Sequence, residues 1–175
     1  MQTVLTRNFF SRPVLDVAPD LLGAFLVRHS GKVTTAFMIN EVEAYDGPND
    51  KACHAHRGRT VRTEVMFGEA GRWYVYFVYG MHDMLNIVTG DVGYPSAVLI
   101  RGVMSEGARI DGPGRVTKAL NITRALNAKR AVPTSCLWIE DRGVRVPKAN
   151  IVCAPRIGVD YAAEWKDKPY RFLLS

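Results

Sequence analysis

The segment INEVEAYDGPNDKACHAH, residues 39–56, brings four acidic side chains, a tyrosine, a thiol and two imidazoles into one short run. Along an extended chain, residues two apart share a face. Ile39, Glu41, Glu43 and Tyr45 are therefore expected to point one way, and Met38, Asn40, Val42 and Ala44 the other. Two carboxylates on one face raise one of their pKa values through repulsion and desolvation, which makes a general base. The competing reading is an ordinary solvated strand face.

The run DGPND that follows favours a tight change of direction. Cys53, His54 and His56 match no paired zinc-ligand spacing and lack a second ligand cluster, so no metal and no other cofactor is expected. Beyond them RGRTVR places Arg57, Arg59 and Arg62 close together. Such a cluster suits a phosphate backbone or a solvated basic loop.

A second stretch, GRWYVYFVYGMHDMLNIVTG at 71–90, alternates aromatics along a strand. Tyr74, Tyr76 and Val78 share one face, and Val75, Phe77 and Tyr79 the other, with Gly80 allowing a turn. Aromatic strands of this kind commonly form core. The alternative has Tyr76 lining a pocket and Tyr79 at a hairpin tip, where a protruding ring can wedge into stacked bases. Asn86 falls on the returning strand, where its amide could discriminate between bases by hydrogen bonding or bulk.

The elements that must position these residues fit one domain over residues 1–175. Short helices are expected at 18–22, opened by Pro19, and at 112–120, with Pro113 at its start and Asn121 as C-cap. Strands are expected at 25–29, 32–45, 73–78, 84–88, 97–101, 136–139, 156–159 and 170–174, with a hairpin turn at Ser30-Gly31. Hairpin turns outnumber long crossovers, so the fold class is α+β, with a largely antiparallel sheet and flanking helices.

Twenty-three Lys and Arg against seventeen Asp and Glu give a net charge of +6, which favours a polyanionic partner without naming one. Cys53, Cys136 and Cys153 are an odd number, as expected of reduced thiols in the cytoplasm. No signal peptide and no membrane-spanning window is apparent, so a soluble cytoplasmic protein is expected.

Five ordered blocks, EVEAYDGPNDKACHAHRGRT, MFGEAGRWYVYFVYGMHDMLNIVTG, AVLIRGV, DGPGRVTKAL and PRIGVDYAAEWKDKPYRFLL, together resemble the alkyladenine (3-methyladenine) DNA glycosylase family, over about residues 5–174. The resemblance implies a curved antiparallel sheet with a protruding hairpin that enters DNA. It also implies an enzyme that flips alkylated or deaminated purines from double-stranded DNA, hydrolyses the N-glycosidic bond and leaves an abasic site. Glycosylases cannot reach their target bond inside the stack and so extrude the nucleotide into a pocket.

Carried onto this sequence, the resemblance makes Glu43 the general base, aided by Arg101 and the main chain around Val159. Tyr45, His54 and Tyr76 would sandwich the base, with the His54 amide donating to its edge, and Asn86 would crowd the exocyclic amino group of guanine. Tyr79, with Met81 beside it, would enter the duplex, and Arg115 would contact phosphate, alongside the basic cluster Arg57, Arg59 and Arg62. No lysine stands at the catalytic position, so a monofunctional enzyme is expected. A monomer suffices, since one duplex needs one wedge. The protein would be nucleoid-associated in a bacterium.

Two features depart from the family pattern. SEGARIDG, residues 105–112, is shorter than expected before the Gly-Pro helix, and Asp83 stands where an apolar or aromatic residue is expected. An acidic group near phosphate weakens binding unless it is paired or turned away. Two rival functions remain at this stage. A non-catalytic nucleic-acid binder has no use for Glu43 in an aromatic pocket, and a nucleoside hydrolase has none for Tyr79 or the arginine cluster.

Overall fold

A computed structural model describes residues 2–78 and 80–175. In chain order it has β1 (Thr3–Val4), α1 (Arg7–Phe10), α2 (Val14–Asp20), β2 (Phe25–Ser30), β3 (Val33–Asp46), β4 (Trp73–Val78) and β5 (His82–Thr89). There follow β6 (Ser96–Ser105), β7 (Ala108–Asp111), α3 (Pro113–Ala119), β8 (Leu137–Asp141), β9 (Ile151–Ala154) and β10 (Arg171–Leu174). All the strands join one antiparallel sheet, ordered β1-β8-β2-β3-β6-β5-β4, with β7 beside β6 and β10 between β3 and β9. The expected α+β class with a large antiparallel sheet is what the chain adopts.

The long strand β3 organises the molecule. One edge pairs with β6, while the other pairs first with β2, through Val33–Met38, and then with β10, through Glu41–Glu43. Its register against β6 shifts on either side of Glu41. An extra residue on a strand breaks strict alternation. That corrects one expectation: Ile39 turns to the core with Val42 and Ala44, and does not share the face of Glu43 and Tyr45. On β6, Val98, Ile100 and Val103 enter the same core, while Ala97, Leu99 and Arg101 face the other side.

Gly102 lies between these shifts, and its packing explains the residue type. A Cβ there would meet Asn40 Oδ1 at 2.5 Å and Glu41 Cβ at 3.0 Å. Gly102→Ala should therefore cost about 1–3 kcal/mol through overpacking, read as a lower urea midpoint with an unchanged slope.

The core lies on one face of the sheet, where Trp73, Val75, Leu85 and Ile87 join one cluster with Val17, Ala18 and the C-cap Leu21 of α2, and with Val116 and the C-cap Leu120 of α3. Trp73 is fully buried, and its indole N–H is satisfied by the Leu137 carbonyl at 3.1 Å. The opposite face carries a smaller cluster of Cys53, Ala55, Met66, Tyr74, Val88 and Ala97, in which Ala55 and Met66 come from short 3-10 turns at His54–Arg57 and Glu64–Phe67.

Three local expectations change. The helix expected at 18–22 is α2, which begins at Val14 after Pro13, so Pro19 stands in its last turn, where little helix remains for a missing N–H to disrupt. Residues 156–159 are irregular, with Gly158 at φ 76°, and the strand lies earlier, at β9. The β2–β3 turn is Gly31-Lys32, with Ser30 already paired to Val33. Asn121 has the left-handed conformation, φ 49°, just beyond the α3 C-cap Leu120. The short segment before α3 is a hairpin, β6 to β7, closed by Glu106 and Gly107 at φ 50° and 81°.

Candidate active site

On the face opposite the core, a cavity of about 510 Å³ opens between β3–β6 and the loops at 50–66 and 157–161. Alternation delivers Tyr45 from β3, Tyr74, Tyr76 and Val78 from β4, and Asn86 from β5 to its lining. Glu43 is fully buried and does not itself line the cavity; it lies behind the lining residues Tyr45, Arg101 and Ile157, all of which it contacts.

Every contact of Glu43 holds its carboxylate in place. The Tyr45 hydroxyl donates to Oε2 at 2.8 Å, and the Ile157 amide donates to Oε1 at 2.8 Å. Arg101 Nε stands 3.4 Å from Oε1. Burial nevertheless dominates and raises the Glu43 pKa above the usual carboxylate value, against the opposing pull of Arg101, the Ile157 amide, Tyr45 and Arg156. A desolvated carboxylate held by donors beside a cavity has the chemistry a general base requires.

The irregular backbone at 155–159 is what turns the Ile157 N–H toward Glu43. Val159 lines the cavity, and its carbonyl accepts the Ala162 amide at 2.9 Å. A carbonyl has a second lone pair, which leaves capacity for a water. The loops are tied together by a pair with no exposed side-chain surface, Arg156 and Asp50, in which Arg156 Nη2 donates to Asp50 Oδ1 at 2.8 Å. Arg156 also donates to the Ala44 carbonyl at 2.8 Å and lies over the Tyr45 ring at 4.8 Å. Asp50 accepts the amides of Asp46 and Ala52. Exposed Lys51 and Glu164 add a contact at 2.7 Å, and the Tyr161 hydroxyl donates to the Ala52 carbonyl at 3.2 Å.

The aromatic wall is equally specific. His54 Nδ1 is 3.0 Å from the Tyr74 hydroxyl, and its ring meets Tyr76 edge-on at 4.6 Å. Burial, with Arg62 nearby, lowers the His54 pKa to about 4, so the ring is neutral at physiological pH. Asn86 is buried, its Nδ2 donating to the carbonyls of Tyr74 at 3.1 Å and Met84 at 3.4 Å, which fixes the amide plane.

Cys53, His54 and His56 are engaged elsewhere. The Cys53 thiol is buried against the Pro95 carbonyl, with its pKa raised to about 12, and His56 Nδ1 meets the Pro48 carbonyl at 2.6 Å.

The basic residues separate. Arg57 and Arg115 are exposed, and Arg59 is exposed but leans on the Phe67 ring and Glu64. Arg62 is exposed as they are, and in addition lies over the Tyr76 ring at 4.9 Å and lines the cavity. Met81 is 70% exposed, while Tyr79 falls outside the described residues. Asp83 is largely turned in and lies 3.5 Å from Arg124, which itself packs over Phe77. The acidic departure is thus paired.

Sequence reasoning missed Asp50, Arg156, the Ile157 amide and the cavity role of Arg62. Asp50 stood in a turn-like run and Arg156 in a strand-like one, and nothing local joins residues so far apart.

With this geometry in view, the chain compares as follows. A profile of the methylpurine-DNA glycosylase family matches residues 8–175. A protein of Methanocella arvoryzae is 49% identical over 97% of this chain and 91% of its own length. One of Myxococcus xanthus is 48% identical over 95% and 88%, and one of Psychrobacter cryohalolentis 40% identical over 100% and 93%. All three are provisionally named 3-methyladenine DNA glycosylases.

Proposed function

Because the chain belongs to the methylpurine-DNA glycosylase family, and is with it a hydrolase of the N-glycosidic bond of damaged bases, we propose that it takes an alkylated or deaminated purine out of duplex DNA into the cavity above Glu43 and there hydrolyses the bond with a Glu43-activated water. The observation that carries this reading is a fully buried carboxylate directly behind the wall of an aromatic cavity, held by the lining residue Tyr45 and the Ile157 amide.

The flipped base stacks among Tyr45, His54 and Tyr76. Electron-rich ring faces favour purines made electron-poor by alkylation, and a neutral His54 adds no repulsion against a cationic base. Asn86, fixed by two carbonyls, crowds the exocyclic amino group of guanine. Arg101 and the Val159 carbonyl hold the water that Glu43 deprotonates. As the base leaves, positive charge grows on the sugar, and the same carboxylate stabilises it.

Among the described residues lining the cavity none is a lysine, so the step ends at an abasic site without a Schiff base. On the DNA side, Tyr79 and Met81 fill the space left by the extruded nucleotide, and Arg57, Arg59, Arg62 and Arg115 contact phosphates. The enzyme acts as a monomer. No helix among the described residues is long and apolar enough to cross a membrane.

The pH dependence of single-turnover excision tests the role of Glu43. Protonated Glu43 cannot take a proton from water, so the rate should fall along an acid limb displaced above the usual carboxylate range. Burial and Arg62 hold the His54 pKa down at about 4, so the ring stays neutral across that limb. A rate unchanged down to pH 4 would count against Glu43 as the base.

A further inference from the structure

Arg101 does not belong to Glu43 alone. Its Nε donates to Glu41 Oε1 at 3.0 Å, closer than the 3.4 Å to Glu43. Glu41 is largely buried and also accepts Arg171 Nη1 at 3.2 Å. Arg171 Nε in turn donates to the Pro155 carbonyl at 2.9 Å, two residues before the amide that donates to Glu43.

We propose that Glu41 is a positioning residue for the excision reaction: it draws Arg101 away from Glu43, with Arg171 as its counterweight, and so keeps Glu43 basic enough to activate water. The inference rests on Glu43 being the base, as proposed above.

A carboxylate closed into a full pair with a guanidinium is stabilised as the anion and becomes a weaker base. Glu43 is faced by Arg101 from β6, by Tyr45 from its own strand, by Arg156 from the loop at 155–159, and by Tyr76 across the cavity. Asp50 already neutralises Arg156. Arg101 is the cation left to decide the matter, and Glu41 holds it. The alternation that puts Glu41 and Glu43 on one face thus gives the two carboxylates different tasks, one reacting and one sharing the arginine between them.

The test is a set of pH profiles of single-turnover excision from a duplex carrying one alkylated purine, for the wild type, Glu41→Gln, Arg171→Gln and Glu43→Gln. Glu41→Gln leaves Arg101 to Glu43 and removes a neighbouring negative charge. Its acid limb should move down by about one pH unit, with a plateau several-fold lower. Arg171→Gln leaves Glu41 to Arg101 alone and removes a positive charge, so its limb should move up. Opposite shifts support the proposal. Limbs that stay put, or that move together, overturn it, since a merely structural role gives no reason for opposite signs. If Glu41→Gln fails to fold, Arg171→Gln decides alone: an upward shift supports the proposal and an unmoved limb overturns it. Excision with an intact acid limb in Glu43→Gln would instead remove Glu43 as the base, a failure distinct from that of Glu41.

Discussion

Glu43→Gln should lower single-turnover excision by about 10²–10⁴-fold while leaving affinity for the damaged duplex nearly unchanged, because only the proton-accepting and charge-stabilising capacity is lost. The substitution fits the site: the amide oxygen can accept the Ile157 N–H, and the Tyr45 hydroxyl can turn to accept from the new amide.

The sign of its effect on stability is separately checkable. The folded pKa of Glu43 is raised, so folding favours the protonated form. That contribution is fully present below the ordinary carboxylate pKa and is lost as pH rises through the folded value. At neutral pH the ionised Glu43 is therefore a cost that glutamine removes. Thermal melts should show Glu43→Gln at least as stable as the wild type at pH 7, with the difference shrinking toward pH 4. A clear loss of stability at pH 7 would mean that the donors around Glu43 outweigh its burial.

The second large effect is structural. Asp50→Ala strands Arg156 with no exposed side-chain surface and leaves the amides of Asp46 and Ala52 without their acceptor. Breaking a buried pair from one side costs about 3–5 kcal/mol. For a domain of this size that corresponds to a fall in Tm of roughly 10 °C. Removing both charges in Asp50→Ala/Arg156→Leu should recover part of the loss, since the stranded cation is then gone. Equal or greater loss in the double variant would show that the tie to the Ala44 carbonyl and the stacking on Tyr45, rather than charge pairing, hold the loops. Excision should fall in Asp50→Ala as well, because the loop that carries the Ile157 amide depends on the same pair.

Much of this architecture was legible in the sequence where local rules govern it. Alternation along β3 and β4 puts Glu43 with Tyr45, and Tyr74 with Tyr76, on shared faces; the three tyrosines line one cavity, and Glu43 lies behind it, bonded to Tyr45. Alternation failed at Ile39, where the register shifts beside Asn40 and Gly102. That shift is set by contacts between β3 and β6, residues some sixty positions apart, which no local pattern carries. The run RIGV at 156–159 has a strand-like composition, yet its Ile157 amide is committed to Glu43 and its Arg156 side chain to Asp50. Spacing groups Arg62 with Arg57 and Arg59 but carries no sign of the ring beneath it, because it says nothing of where a loop turns. The structure lays it over Tyr76. Asp83 looked like a liability until Arg124 appeared beside it.

The most direct measurement is incubation of the wild-type protein with duplexes carrying one alkylated purine, one hypoxanthine or no lesion, with strand breaks scored before and after hot alkali. The account predicts breaks at the lesion alone, appearing only after alkali, and no adduct trapped by borohydride. Tight binding without excision, or breaks that need no alkali, would contradict it.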